Sequence, residues 1–157
     1  MINTDFTIII DTREQKPWLF STQASISNKL DTGDYSIEGY QHLLAIERKR
    51  NVAEIANNIT EKRFVDVVSR LSSMKYSFLL LEFDLDDVMR YPIGSDIPKR
   101  LWDKIKISPA YILKHLIDLQ LDHNIKIIFC GNSSNAEKLA LSIMRKVIKL
   151  EHNNEVR

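Results

Sequence analysis

The chain has 157 residues, 44% of them hydrophobic and 27% charged, which suits one globular domain with a sizeable core. A formal net charge of +1 excludes a globally basic coat, so any nucleic-acid surface has to be local. A single cysteine excludes an internal disulfide and suits a reducing cytoplasm; the apolar runs are too short to span a membrane, and "MINTDFTIIID" lacks a signal-peptide pattern.

In chain order, "FTIIID" (6–11) is apolar and β-branched and predicts a central strand. A polar stretch carrying Pro17 and Trp18 follows. "DYSIEG" (34–39) and "HLLAIER" (42–48) read as a hairpin turning around Gly39. From Val52 to about Met74 the apolar spacing becomes helical and predicts two helices, or one broken near Thr60. "YSFLLLEFD" (76–84) predicts a buried strand, and "RYPIGSDIP" (90–98), with two prolines and a glycine, a loop. Ser108 as N-cap and Pro109 at the first helical position open a helix to about His123. "IKIIFCG" (125–131) is a strand, and Asn132 or Ser133 caps a last helix to about Leu150, leaving 151–157 as a polar, frayed end. The alternation predicts one α/β domain, a mixed sheet flanked by helices, across 1–157.

The acids fall at strand ends. Asp11 closes the first strand, and Glu14 follows in "DTRE". Asp34 follows Gly33 at the start of the hairpin, and Glu47 sits at the end of its second strand. Adjacent strands bring Asp34 and Glu47 together. Side chains two apart share a face, so Glu47 and Lys49 point one way and Arg48 the other. Clustered carboxylates repel unless a cation joins them, and hard ions such as Mg²⁺ accept one or two carboxylates while keeping places for water and phosphate. With Lys49 alongside, this is a layout for phosphodiester hydrolysis. Taken singly, E-x-K is a common solvated edge pair and "DTGD" (31–34) ordinary turn chemistry. Their order and their position at strand ends favour the chemical reading.

"IIIDTRE", "GDY" and "IERK" together resemble the ordered signature of the XPF-type structure-specific endonucleases, a branch of the PD-(D/E)xK nuclease superfamily. That pattern runs D-x-R-E, G-D, E-R-K-x-x-x-D, and the likeness covers about residues 5 to 85, including the "RF" of "EKRF". It implies a restriction-endonuclease-like domain and a Mg²⁺- or Mn²⁺-dependent DNA endonuclease that nicks or selects branched structures. By the same resemblance Asp34 and Glu47 are metal ligands, with Asp11 and Glu14 in or beside the acidic cluster. Lys49 orients the nucleophilic water, and Arg13 and Arg48 bind phosphate or brace the site. The family's last Asp falls on Ala53, with Glu54 next to it as a substitute. That departure supports the rival reading, a catalytically inactive DNA-binding or scaffold subunit; an RNase is a third.

Other charged features read more plainly. "EFDLDD" (82–87) suits a solvated strand end. "PKRLWDKIK" (98–106), with Lys99, Arg100 and Trp102, fits either a phosphate-backbone contact or a basic surface over a core tryptophan. The four histidines lack metal-ligand spacing, and no nucleophile motif surrounds a serine or Cys130. The last helix carries two adjacent apolar stripes, Leu139, Ile143, Val147, Leu150 and Ala140, Met144, Ile148, which suggest a homodimer interface within 139–150. The resemblance also implies a helicase or targeting partner, since no such module is present in the chain. A small stand-alone nuclease of this kind suits a phage or mobile element.

Overall fold

The computed structural model describes residues 5–157, so the start of the amino-terminal stretch discussed above lies outside it. Its centre is a six-stranded sheet of β1 (Ile8–Ile10), β2 (Ser25–Ser27), β3 (Tyr35–Ile37), β4 (Leu44–Lys49), β5 (Tyr76–Leu81) and β6 (Lys126–Phe129), in the order β2-β1-β3-β4-β5-β6. β3 is antiparallel to β1 and β4, and the other neighbours are parallel. The mixed sheet of the sequence reading is therefore present, and no helix among the described residues is long and apolar enough to cross a membrane.

Among the described residues five α-helices flank it: α1 (Val52–Thr60), α2 (Lys62–Ser72), α3 (Leu85–Met89), α4 (Pro109–His123) and α5 (Ser133–Val156), with a 3-10 helix at Lys99–Lys104. The pleat sorts β4 onto two cores. Ala45 joins Ile55, Phe64, Leu71, Ile112 and Leu116 under α1, α2 and α4, whereas Leu44 and Ile46 join Tyr35, Leu80, Ala140 and Met144 under α5. The break near Thr60 is real: Glu61 is extended (φ −93°, ψ 124°) and separates two helices.

Three expectations change. β1 is interior rather than central, because β2 lies outside it; β2 hides in the polar stretch, and its residues are all exposed, so no burial pattern marked it. The end expected to fray is helical through Val156, with the Glu151 carboxylate taking bonds from Lys75 Nζ at 2.6 Å and Tyr76 Oη at 2.7 Å. The apolar face of α5 is engaged by the sheet: Ala140 and Met144 are fully buried, and Leu139, Ile143 and Ile148 pack against the same core. Met144 is thus a core residue, not an interface residue. Exposed apolar side chains stand instead on α4, at Tyr111, Ile117 and Leu121.

One charged group is built into the end of this sheet. Arg48, on the α5 side of β4, has a side chain only 7% exposed. Its guanidinium forks onto Glu82, Nε to Oε2 at 2.8 Å and Nη2 to Oε1 at 3.2 Å. Nη1 donates to Glu14 Oε2 at 3.1 Å and to the Lys16 carbonyl at 2.7 Å, and the group lies 4.9 Å from the Trp18 ring centroid. Trp18 stacks on Tyr35 at 4.4 Å and donates its indole N–H to Glu82 Oε2 at 2.8 Å. The cluster ties the loop after β1 to β3, β4 and β5. Removing one partner of a buried ion pair leaves an uncompensated charge and costs about 3–5 kcal/mol. Arg48→Ala should therefore lower the melting temperature by roughly 10 °C, measured by circular dichroism, with the paired change Arg48→Met, Glu82→Leu losing much less; equal losses would show that the charge pairing is not what holds this end.

Candidate active site

Strand direction collects the acids at one end of the sheet: the end of β1 gives Asp11, the start of antiparallel β3 gives Asp34, and the end of β4 gives Glu47 and Lys49. Asp34 reaches its place through Gly33. There φ is +82°, and an added Cβ would meet Ala45 Cβ at 3.0 Å and the Ile46 backbone at 3.2 Å, so only glycine lets this turn lie flat on β4. The Asp34 N–H donates to the Ile46 carbonyl at 2.8 Å, and the Asp11 N–H to the Asp34 carbonyl at 2.9 Å, which fixes Asp34 between β1 and β4.

These side chains line a cleft of about 460 Å³. Asp34 Oδ2 accepts the Arg48 backbone N–H at 2.8 Å. Glu47 Oε1 lies 3.5 Å from Lys49 Nζ, and the two side chains are 13% and 11% exposed. Burial, then the neighbouring Glu47 charge, pushes Asp34 well above the usual carboxylate range. Burial also raises Glu47, although Lys49 opposes it. Lys49 itself is held 5.3 Å from the centroid of the Phe64 ring, which fixes the ammonium beside the acids.

Asp11 and Glu14 line the same cleft but are differently engaged. Burial would raise Asp11, but the Leu30 N–H on Oδ1 at 2.9 Å and Arg13 Nε on Oδ2 at 2.7 Å outweigh it and hold the carboxyl below its ordinary value. Asp11 therefore braces Leu30 and Arg13 first. Glu14 Oε2 takes the Tyr35 hydroxyl at 2.6 Å as well as Arg48, and its charge adds to the repulsion felt by Asp34 and Glu47. Arg13, 71% exposed, stands at the mouth and feels the charges of Asp34 and Glu47.

Four further charged features of the sequence can be placed in the structure. Of the two roles expected of Arg48, the structure fits the brace: its side chain is buried and its donors are engaged inside the protein. Glu82 is no solvated acid, having a side chain 6% exposed against Arg48. Glu54 does not replace the missing Asp. Its N–H donates to the N-cap Asn51 Oδ1 at 3.0 Å and its Oε2 takes the Arg50 N–H at 3.0 Å, which engages it at the start of α1, while Ala53 packs against the core. Lys99 and Arg100 lie on the 3-10 helix, outside the residues lining the acidic cleft, and Trp102 is tied by its indole N–H to the Ile97 carbonyl at 3.0 Å. Arg63, Phe64 and Arg70 on α2 form the opposite wall. Arg63 and Arg70, two turns apart, lie on one side of the helix, a signal visible in sequence only once the wall they face is known. Burial pushes the Cys130 thiol up to about 11, which removes it as a nucleophile.

The donors suit a hard divalent ion. Two carboxylates, one with an oxygen that takes no hydrogen bond among the described residues, match the one or two that Mg²⁺ uses alongside water and phosphate. No group of three or more His, Cys, Asp or Glu side chains among the described residues is gathered so as to hold a metal ion, so Asp11 does not join Asp34 and Glu47 as a third ligand here.

Comparison with known proteins bears on the family and the fold. A family model described as the ERCC4 domain matches residues 10–142. The 3'-flap repair endonuclease Xpf of Saccharolobus solfataricus is 27% identical over 122 residues, covering 77% of this chain and 45% of that protein, so the chain spans about half of that relative. Among solved structures, XPF from Aeropyrum pernix matches with a TM-score of 0.66 at 19% identity, over 95% of this chain and 69% of that one. The same protein in complex with DNA matches at 0.63 and 18%, over 93% and 66%. With the fold shared and the family model spanning β1 to α5, the chain belongs to the ERCC4 domain family.

Proposed function

We propose that the chain is an intracellular, divalent-metal-dependent DNA endonuclease acting on branched or nicked DNA. The observation that carries this reading is the buried Asp34–Glu47 pair with Lys49 Nζ 3.5 Å from Glu47, open to a cleft whose rim bears Arg13, Arg63 and Arg70. A bound Mg²⁺ or Mn²⁺ would act as Lewis acid on the phosphate and lower the pKa of the attacking water. Asp34 and Glu47 would hold that ion, each relieved of the other's repulsion. Lys49 would donate a hydrogen bond to the nucleophile or to a phosphate oxygen, its aim fixed by Phe64. The rim arginines would grip flanking phosphates. What the relatives' names say of flap DNA and DNA binding supports the substrate class.

A second reading, a DNA-binding subunit without catalysis, is favoured by one observation: Ala53 stands where the family pattern has an acid, and Glu54 is engaged as a cap. Incubation with flap, forked, nicked and supercoiled DNA separates the two. Cleavage is expected with Mg²⁺ or Mn²⁺ and none in EDTA; binding without cleavage under either metal gives the second reading.

The pair gives a sign that activity alone does not. A carboxyl whose folded pKa is raised destabilises the fold above that pKa, and the penalty fades as pH falls through it. In metal-free protein at neutral pH, Asp34→Asn should therefore raise the melting temperature, by roughly 2–4 °C for each kcal/mol regained, while cleavage is lost; the gain should shrink on acidification. A variant that melts lower and still cuts at the wild-type rate removes Asp34 from the site.

Lys49→Ala should slow single-turnover cleavage at least about a hundredfold while leaving the DNA dissociation constant within about threefold, as expected of a group acting in the transition state. A defect confined to binding would make Lys49 a phosphate contact.

Pairing with a second copy is proposed through α4, where Ile117 is 52% and Leu121 80% exposed. Sedimentation should give a dimer that Ile117→Lys with Leu121→Lys converts to a folded monomer; a monomeric wild type at high micromolar concentration would leave a helicase or other targeting protein as the proposed partner.

A further inference from the structure

A second cavity, of about 530 Å³, opens where β4 ends. It is lined by Arg50, the first turn of α1, Phe83, Tyr91 and the loop from Ile93 to Pro98. The acidic cleft is its neighbour. Lys49 lines the cleft and Arg50 the pocket, and consecutive α-carbons are about 3.8 Å apart. Ala53 lines the pocket and Asn58 the cleft, and at five residues along α1 they are separated by about 7.5 Å of helix axis.

The walls are mostly apolar. Phe83 and Tyr91 contribute rings that are 4% and 7% exposed, and Ile93 stands out at 58%. Ala53, where the family pattern has an acid, leaves its wall uncharged. One polar atom here lacks a partner. The Tyr91 hydroxyl makes no hydrogen bond among the described residues, and burial alone pushes its pKa up. Asn58 Oδ1 and His115 Nε2 are the enclosed side-chain atoms without a partner among those residues. The phenol oxygen is therefore not sealed in protein; it reaches open space, and the space that Tyr91 borders is this pocket. A phenol this deeply buried ordinarily has a partner.

The charged lining residues are unequal. Asp87 is occupied, taking the Asp84 N–H at 2.9 Å and pairing with Arg90. Asp96 is exposed. Arg50 lies 3.4 Å from Glu54 through Nε, is 41% exposed, and keeps its remaining guanidinium donors for a ligand. A fitting ligand has flat apolar faces, a polar edge and an anionic group attached. A nucleobase with its phosphate has all three. Its faces suit the rings and Ile93, its edge the Tyr91 hydroxyl, and its phosphate the Arg50 fork.

We infer that this pocket takes one unpaired nucleobase of a strand whose backbone lies in the acidic cleft, with Arg50 on the phosphate and the Tyr91 hydroxyl on the base edge. The inference rests on the DNA-endonuclease reading of that cleft and deepens it. A base inside a duplex must be unpaired and unstacked before it can enter, whereas a base at a fork or flap is already free. The pocket is thus a source of preference for branched DNA.

The test uses the full chain, Ca²⁺ in place of the catalytic ion, and forked duplexes in which the unpaired nucleotides near the junction are made abasic one at a time. At one such position, removing the base should weaken binding by wild type roughly tenfold, the scale of one base contact. Ile93→Ser and Tyr91→Phe should each shrink that ratio at least about threefold. Arg50→Ala should weaken binding to both forks alike and leave the ratio. Tyr91→Phe should melt as wild type does, because the hydroxyl has no partner to lose; a lower melting temperature would show it bonded inside the protein and remove it from the pocket. If no position responds to base removal, or if the ratio survives both pocket variants, the inference is overturned. Absence of DNA binding overturns it together with the endonuclease reading. A pocket-dependent ratio in a protein that does not cut with Mg²⁺ or Mn²⁺ supports the pocket and overturns the endonuclease reading alone.

Discussion

A guanidinium taken out of water at the end of β4 is the constraint on which the acidic end of this sheet depends. Arg48 has to be neutralised where it is buried, and Glu82 and Glu14 do so from β5's end and from the loop after β1. Those partners are thereby fixed in space. Glu14 is held at the edge of the cleft, Trp18 is drawn over the guanidinium, and the loop is pinned by its Lys16 carbonyl. The Arg48 backbone N–H meanwhile orients Asp34. One residue thus serves both faces, with its side chain on the α5 side and its amide turned to the acid. A buried ion pair rarely adds much stability over an apolar substitute, so its retention here fits a need for position rather than for strength.

The cleft itself works in the opposite sense. Asp34 and Glu47 are placed where burial and mutual repulsion make ionisation costly, and Lys49 compensates only in part. A structural cluster would resolve that repulsion with a second basic partner, as Arg13 does for Asp11. That repulsion is left unresolved here, and the glycine at 33 is the backbone concession that lets Asp34 lie so close to β4.

Much of this was readable in the sequence because period-2 alternation is strict. Leu44 and Ile46 against Ala45 predict the two faces of β4, and from them the sharing of one face by Glu47 and Lys49. The helical stretches and the caps at Ser108 and Asn132 were equally plain. What was hidden depended on partners distant along the chain. Glu82 looked like a solvated acid because nothing local reveals that Arg48 pairs beside Leu80 and lies on its face. Glu54 looked like a spare ligand because capping and ligation call for the same residue type. Ser25–Ser27 carries no apolar residue facing inward, so only the pairing with β1 makes it a strand. Residues 151–156 continue a helix because Glu151 meets Lys75 and Tyr76, and composition alone sees only polarity.

The alternation along β4 has a hereditary consequence. Glu47, Arg48 and Lys49 occupy consecutive places on a pleat whose sides are chemically unlike, one open to the cleft and one sealed under α5. Their order cannot be permuted, since exchanging Arg48 with Lys49 would put the fork in the cleft and a point charge in the sealed network. Nor can the strand gain or lose a single residue, which would swap every side chain across the sheet. The turn around Gly39, exposed and with open space around its α-carbon, has no such restriction. A change of length that keeps this end of the sheet can therefore fall in the turn but not within the strand, and the triplet behaves as one indivisible unit.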